Sequence, residues 1–177
     1  TNHGNRRAKV GFSAPYPGTV IPIDLAQSPG NDLIVQKDGF LCAAFGTKVS
    51  ITFNRKLGTG LVGGEGFILQ KLHGDGKAFV HAGGTVIERT LNNETLRVDT
   101  GCVVAFESQI DFDVQSAGGL RSMIFGGEGM FLATLRGTGK IWLQSMPIRK
   151  LVQALAPYGR NAGKESSSLL GGLLERS

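Results

Sequence analysis

Gly63-Gly64-Glu65-Gly66-Phe67-Ile68-Leu69-Gln70-Lys71-Leu72-His73-Gly74-Asp75-Gly76-Lys77 recurs, altered, as Gly126-Gly127-Glu128-Gly129-Met130-Phe131-Leu132-Ala133-Thr134-Leu135-Arg136-Gly137-Thr138-Gly139-Lys140. The spacing is constant from Glu65 and its counterpart Glu128 to Lys77 and its counterpart Lys140, and no gap is needed. Nine positions are identical: the four from Gly63 to Gly66, then Leu69, Leu72, Gly74, Gly76 and Lys77. Self-similarity at a fixed spacing predicts a fold assembled from one supersecondary unit used repeatedly. It also weighs against an enzyme, because most active sites need one asymmetric constellation of groups, whereas duplicated residues hold up a scaffold.

Around this repeat, the hydrophobic period is that of strands. Val49-Ser50-Ile51-Thr52-Phe53 alternates, and so does Ile110-Asp111-Phe112-Asp113-Val114. Phe67 to Leu72 and Lys77 to His81 flank a Gly-rich tetrapeptide and are expected to form a hairpin; Leu132 to Arg136 and Lys140 to Gln144 are expected to repeat it around Gly137-Thr138-Gly139. Trp142 aligns with Phe79 and is expected in the core. Ala44-Phe45 and Ala105-Phe106 extend the likeness at a slightly shorter spacing, implying a two-residue indel. A partial third copy opens the chain, where Lys9 to Ala14 resembles Lys77 to Ala82. That reading starts the chain inside a hairpin whose first strand is expected in the complete protein. Ala14-Pro15-Tyr16-Pro17-Gly18 reads as a turn. One helix is expected near the end, with Ile148, Leu151, Val152 and Leu155 on one face and Pro157 and Gly159 stopping it. The units fall at 1–37 (remnant of a first unit), 38–98, 99–147, the helix 148–158 and a flexible tail 159–177.

Composition bounds the function. With 177 residues, 41% of them hydrophobic, the chain can bury a core. Its 27 glycines lie between apolar runs and punctuate turns. The net charge of +5 is a modest cationic excess. No apolar run has membrane-spanning length. Cys42 and Cys102 each sit in an apolar run and read as buried, reduced thiols, which fits a reducing compartment.

Motifs that suggest chemistry fail on context. Gly58-Thr59-Gly60-Leu61-Val62-Gly63 matches a dinucleotide fingerprint, but a strand rather than a helix is expected after it. His3, His73 and His81 have no metal-ligand spacing, and His73 and His81 are expected to face solvent or another subunit. Glu65 and Glu128 are the best polar candidates, since both copies hold them; they are expected to accept hydrogen bonds in their glycine turns or to pair with Lys77 and Lys140. Arg55 and Lys56 form a small basic loop, the candidate contact for RNA. No catalytic, cofactor or metal residues are assigned.

Phe79-Val80-His81-Ala82-Gly83-Gly84, Leu96 through Phe106, Phe125-Gly126-Gly127-Glu128-Gly129 and Trp142-Leu143-Gln144-Ser145 resemble the AIM24 family, in its bacterial branch. The resemblance implies an all-β protein of tandem TRAP-like units, short double-stranded β-helix variants, with one short C-terminal helix. It further implies a homotrimer with pseudo-sixfold symmetry. No catalytic residue is established for the family, so none carries over. The expected function is a non-enzymatic oligomeric scaffold or interaction protein, cytoplasmic in a bacterium and mitochondrial in the eukaryotic relatives. The alternative is an RNA-binding ring related to TRAP.

Overall fold

A computed structural model describes residues 3–55, 67–116, 131–156 and 158. Among these residues ten strands carry the fold: β1 (Gly18–Asp24), β2 (Asp32–Gln36), β3 (Phe40–Ala43), β4 (Lys48–Arg55), β5 (Phe67–His73), β6 (Lys77–Gly83), β7 (Val86–Asp99), β8 (Val103–Glu107), β9 (Asp111–Ser116) and β10 (Phe131–Gln144). Apart from one-turn 3-10 segments, the only helical stretch among the described residues is α1, over residues 148–156. The protein is all-β with a short C-terminal helix, as its periodicity predicts.

All pairings among the described residues are antiparallel. Three strands form one sheet in the order β1-β6-β3. Seven form the other, in the order β4-β5-β2-β8-β10-β7, with β9 also on β10. The central strands are apolar on both faces, as strands covered on both sides must be. In β2, Leu33 and Val35 point to one core and Ile34 to the other. In β8, Val104 and Ala105 serve the first of these cores, Val103 and Phe106 the second. The first core lies between the two sheets and includes Leu72, Ala78, Val80 and Trp142. The second lies on the opposite face of the large sheet, where Phe53, Phe67, Phe106 and Phe112 meet ring to ring, Phe106 stacked on Phe112 at 5.4 Å. Each such aromatic pair adds about 0.5–1.5 kcal/mol to what burial itself supplies.

Neither expected hairpin forms. β5 belongs to the large sheet and β6 to the small one. The corner between them bonds to other parts of the chain instead of closing on itself: the Gly74 N–H donates to Asn31 O at 3.1 Å, and the Leu25 N–H donates to Gly76 O at 3.0 Å. Both strands bury apolar side chains in the core between the sheets, Leu72 from one and Ala78 and Val80 from the other. Folding back as a hairpin would put them side by side in one sheet instead of facing each other.

At the second site there is no turn at all. β10 runs unbroken for 14 residues through Gly137-Thr138-Gly139, with β7 beside it along its length. Its other neighbour changes at these glycines, from β9 (Phe131 to Arg136) to β8 (Ile141 to Leu143). Gly137 and Gly139 take φ of 124° and 150°, values that disfavour a Cβ. Opposite them Asn93 bulges out of β7 with φ 56°, and its N–H donates to the Thr138 hydroxyl at 3.0 Å.

The registers recur at the spacing of the sequence repeat. Val49 pairs with Leu72 in β4–β5, and Phe112 pairs with Leu135 in β9–β10. Cys42 pairs with Phe79 in β3–β6, and Ala105 pairs with Trp142 in β8–β10. Every one of these partners stands as far from its counterpart as Glu65 does from Glu128. The shorter spacing read from Phe45 and Phe106 therefore does not describe paired strands: Ala43, not Phe45, occupies the place of Phe106, since Ala43 pairs with Ala78 as Phe106 pairs with Ile141.

Candidate functional site

The apolar pattern of β4 leads to an unexpected surface. Val49 and Ile51 alternate as a buried strand face should, yet they are 47% and 65% exposed. The reason is position: among the described residues β4 pairs only with β5, so it is an edge of the large sheet. Just before it, Phe45 is fully exposed beside Gly46, whose φ of 94° sets the turn. An edge strand presents unpaired N–H and C=O groups, and proteins normally guard such edges with charge, proline or a bulge. The one break in β4 is a register shift between Ile51 and Phe53. At the other end of the sheet, β7 is guarded by charge. Arg89 pairs with Glu94 at 2.6 Å, and Glu88 with Lys140 at 3.4 Å.

Of the residues singled out in the sequence, Glu65, Glu128 and Lys56 lie outside the described residues, as does the Gly58–Gly63 motif. Arg55 ends β4. Lys140 has partners among the described residues. Its ammonium meets Glu88, whose other carboxylate oxygen accepts from the Trp142 indole N–H at 3.0 Å. The Lys140 backbone N–H donates to Glu107 Oε2 at 2.8 Å. Lys77, its counterpart, has no ion-pair partner among the described residues.

Two polar groupings escaped the sequence. Asp32 on β2 is flanked by β5 and receives Lys71 Nζ at 2.7 Å and His73 Nδ1 at 2.8 Å. Burial raises its carboxyl pKa, but the hydrogen bonds and positive charge of Lys71 and His73 outweigh burial and hold it below its ordinary value. Only the cross-strand register brings the three together, since Asp32 and His73 are direct partners.

His81, expected at the surface, is 2% exposed. Neither ring nitrogen finds a hydrogen-bond partner among the described residues. Tyr16 packs edge-on against the ring at 4.5 Å, and Gly18 leaves it room, since a Cβ there would collide with Nε2. Burial lowers the imidazole pKa, against a weaker opposite pull from the Tyr16 backbone. Gln144, its counterpart in β10, is fully used. It accepts from the Gly83 N–H at 2.7 Å and donates to Gly101 O at 2.8 Å.

Cys42 and Cys102 are free and half-buried, more open than their apolar neighbours suggested. Among the described residues no three of His, Cys, Asp and Glu converge on a point that could hold a metal ion. No helix of the described residues is long and apolar enough to cross a membrane.

This architecture has known counterparts. A solved crystal structure of a Streptococcus pyogenes protein matches with a TM-score of 0.68 over 82% of this chain, at 23% identity. An uncharacterized protein of Streptococcus pyogenes serotype M6 is 26% identical over 151 residues, 85% of this chain. The chain spans 59% of that relative's length and 62% of the solved chain. The family model described as "Mitochondrial biogenesis AIM24" matches residues 1–146, so all the strands fall within it and the chain belongs to the AIM24 family.

Proposed function

We propose that this protein is a non-enzymatic scaffold that assembles with copies of itself through the outer edge of β4. The observation that carries this reading is the exposure of Val49, Ile51 and Phe45 along an edge that has no partner strand on its outer side among the described residues. Pairing that edge with another copy would satisfy the backbone and cover the apolar side chains together. The number of copies in this reading is three, each contributing two repeat units to a pseudo-sixfold ring. Its compartment is the cytoplasm of a bacterium, where the free Cys42 and Cys102 stay reduced.

Light scattering on a size-exclusion column, with absorbance at nucleic-acid and protein wavelengths, tests the proposal. The expected particle is three times the 18.7 kDa chain and free of nucleic acid. A chain that stays monomeric at high concentration refutes the scaffold. Nucleic acid that co-elutes and leaves at high salt would favour the RNA-binding alternative.

A further inference from the structure

The outer face of the small sheet carries a cleft. Along β6, Ala78, Val80 and Ala82 point into the core, so Lys77 and Phe79 project from the opposite face. There a cavity of about 360 Å³ is lined by Phe12, Val20, Leu41, Cys42, Phe79 and Lys77, among others. The volume lies in the range of small-molecule sites. Phe12 and Val20 keep much of their apolar surface in water, which covering by a ligand would relieve.

Charge identifies what fits. Among the described residues, Lys77 is the only charged one lining the cleft. Its cross-strand neighbour Asp24 turns away to cap the next turn, accepting from the Ala26 N–H and from Gln27 Nε2, both at 3.2 Å. The counterpart site in β10 shows what is missing. There Lys140 and Trp142 stand where β6 has Lys77 and Phe79, and the Glu88 carboxylate bridges them. No carboxylate among the described residues does this for Lys77.

We propose that the cleft binds a small apolar monocarboxylate. Its carboxylate takes the place at Lys77 that Glu88 takes at Lys140, and its hydrocarbon lies against Phe12, Val20 and Phe79. Scaled from a benzene-sized cavity of about 150 Å³, the volume suits a ligand of roughly fourteen heavy atoms. A medium-chain fatty acid has this size and chemistry.

The test is calorimetric titration of the full chain with decanoate, alongside decanol and decylamine. Decanoate should bind saturably, one per chain. Lys77→Gln should weaken decanoate by about tenfold or more, as loss of one charge-assisted contact does, while leaving decanol unchanged. Val20→Trp, which fills the cleft, should abolish both. Bound decanoate should slow alkylation of Cys42 but not of Cys102, read by mass spectrometry. Equal binding of decylamine and decanoate, no effect of Lys77→Gln, or no saturable binding would each overturn the proposal. So would protection of Cys42 that follows protein concentration without decanoate, because a second copy would then cover the cleft.

Discussion

The backbone N–H of Lys140 donates to the side chain of Glu107 at 2.8 Å, at the point where β10 exchanges β9 for β8 as its neighbour. A strand that changes partners leaves a gap in its ladder, and here the Glu107 side chain supplies the acceptor at a solvent-exposed position. The carboxylate is held in place by Gln109 Nε2, which donates to the same oxygen at 2.9 Å.

Replacing Glu107 tests this junction. Glu107→Ala should cost about 0.5–1 kcal/mol, the net worth of a hydrogen bond whose acceptor water can replace, while Glu107→Gln should cost less. Urea denaturation of the two variants beside the parent chain checks the order.

Gly139 sits under the same carboxylate. A Cβ there would lie 2.8 Å from both Glu107 Oε2 and Gln109 Nε2, on a backbone with φ 150°. Gly139→Ala should destabilise by about 1–3 kcal/mol, through backbone strain and the displaced carboxylate. Gly11→Ala, at a position open to solvent, should leave the melting temperature unchanged.

Asp32 should make stability depend on acid. Its folded pKa lies below the ordinary 3.8, so the folded state binds fewer protons than the unfolded one as pH falls toward that value. The stabilisation is therefore full above the unfolded pKa and is lost as pH falls through the folded one. Asp32→Asn should flatten that part of the profile and reduce stability at neutral pH. Melting temperatures measured from neutral pH down into the carboxylate range provide the comparison.

His81 should act in a higher window. Its folded pKa lies below 6.5, so the unfolded chain takes up a proton first as pH falls through that value. Its effect is absent well above pH 6.5 and becomes a progressive loss of stability below it, until the folded pKa is reached. His81→Phe should remove this dependence. At neutral pH it should cost little, since among the described residues neither ring nitrogen makes a hydrogen bond of good geometry and the pull of the Tyr16 backbone is the weaker influence on the ring. A parent chain whose stability stays level as pH falls from neutral through the ordinary histidine range would contradict this reading.

At the β4 edge, the pair Val49→Lys and Ile51→Lys should dissolve the proposed assembly. Both side chains are already exposed in the single chain, so each substitution should change the stability of a monomer by no more than about 0.5 kcal/mol. A smaller particle in light scattering, with unchanged circular dichroism, is the expected result.

The strands, the constant spacing of the repeat and the core position of Trp142 were legible in residue order, because side-chain periodicity and burial are local properties written in residue type. The glycines at 74, 76, 137 and 139 stood out in the same way. Their use depends on what the folded chain places beside them. The same Gly-x-Gly-Lys pattern is a corner between sheets at Gly74 and a register shift within one continuous strand at Gly137, because the hydrogen-bond partners at each place come from distant parts of the chain, the 3-10 segments at Leu25 and Asn31 in one case and β7 in the other. The exposure of Val49 and Ile51 was hidden for the same reason, since a strand reads alike in sequence whether its outer edge is paired or open. His81 and Gln144 occupy equivalent positions, yet one is unpartnered among the described residues and the other makes two hydrogen bonds. Partners for buried polar groups come from residues far away in the chain, and only the folded registers bring them within reach.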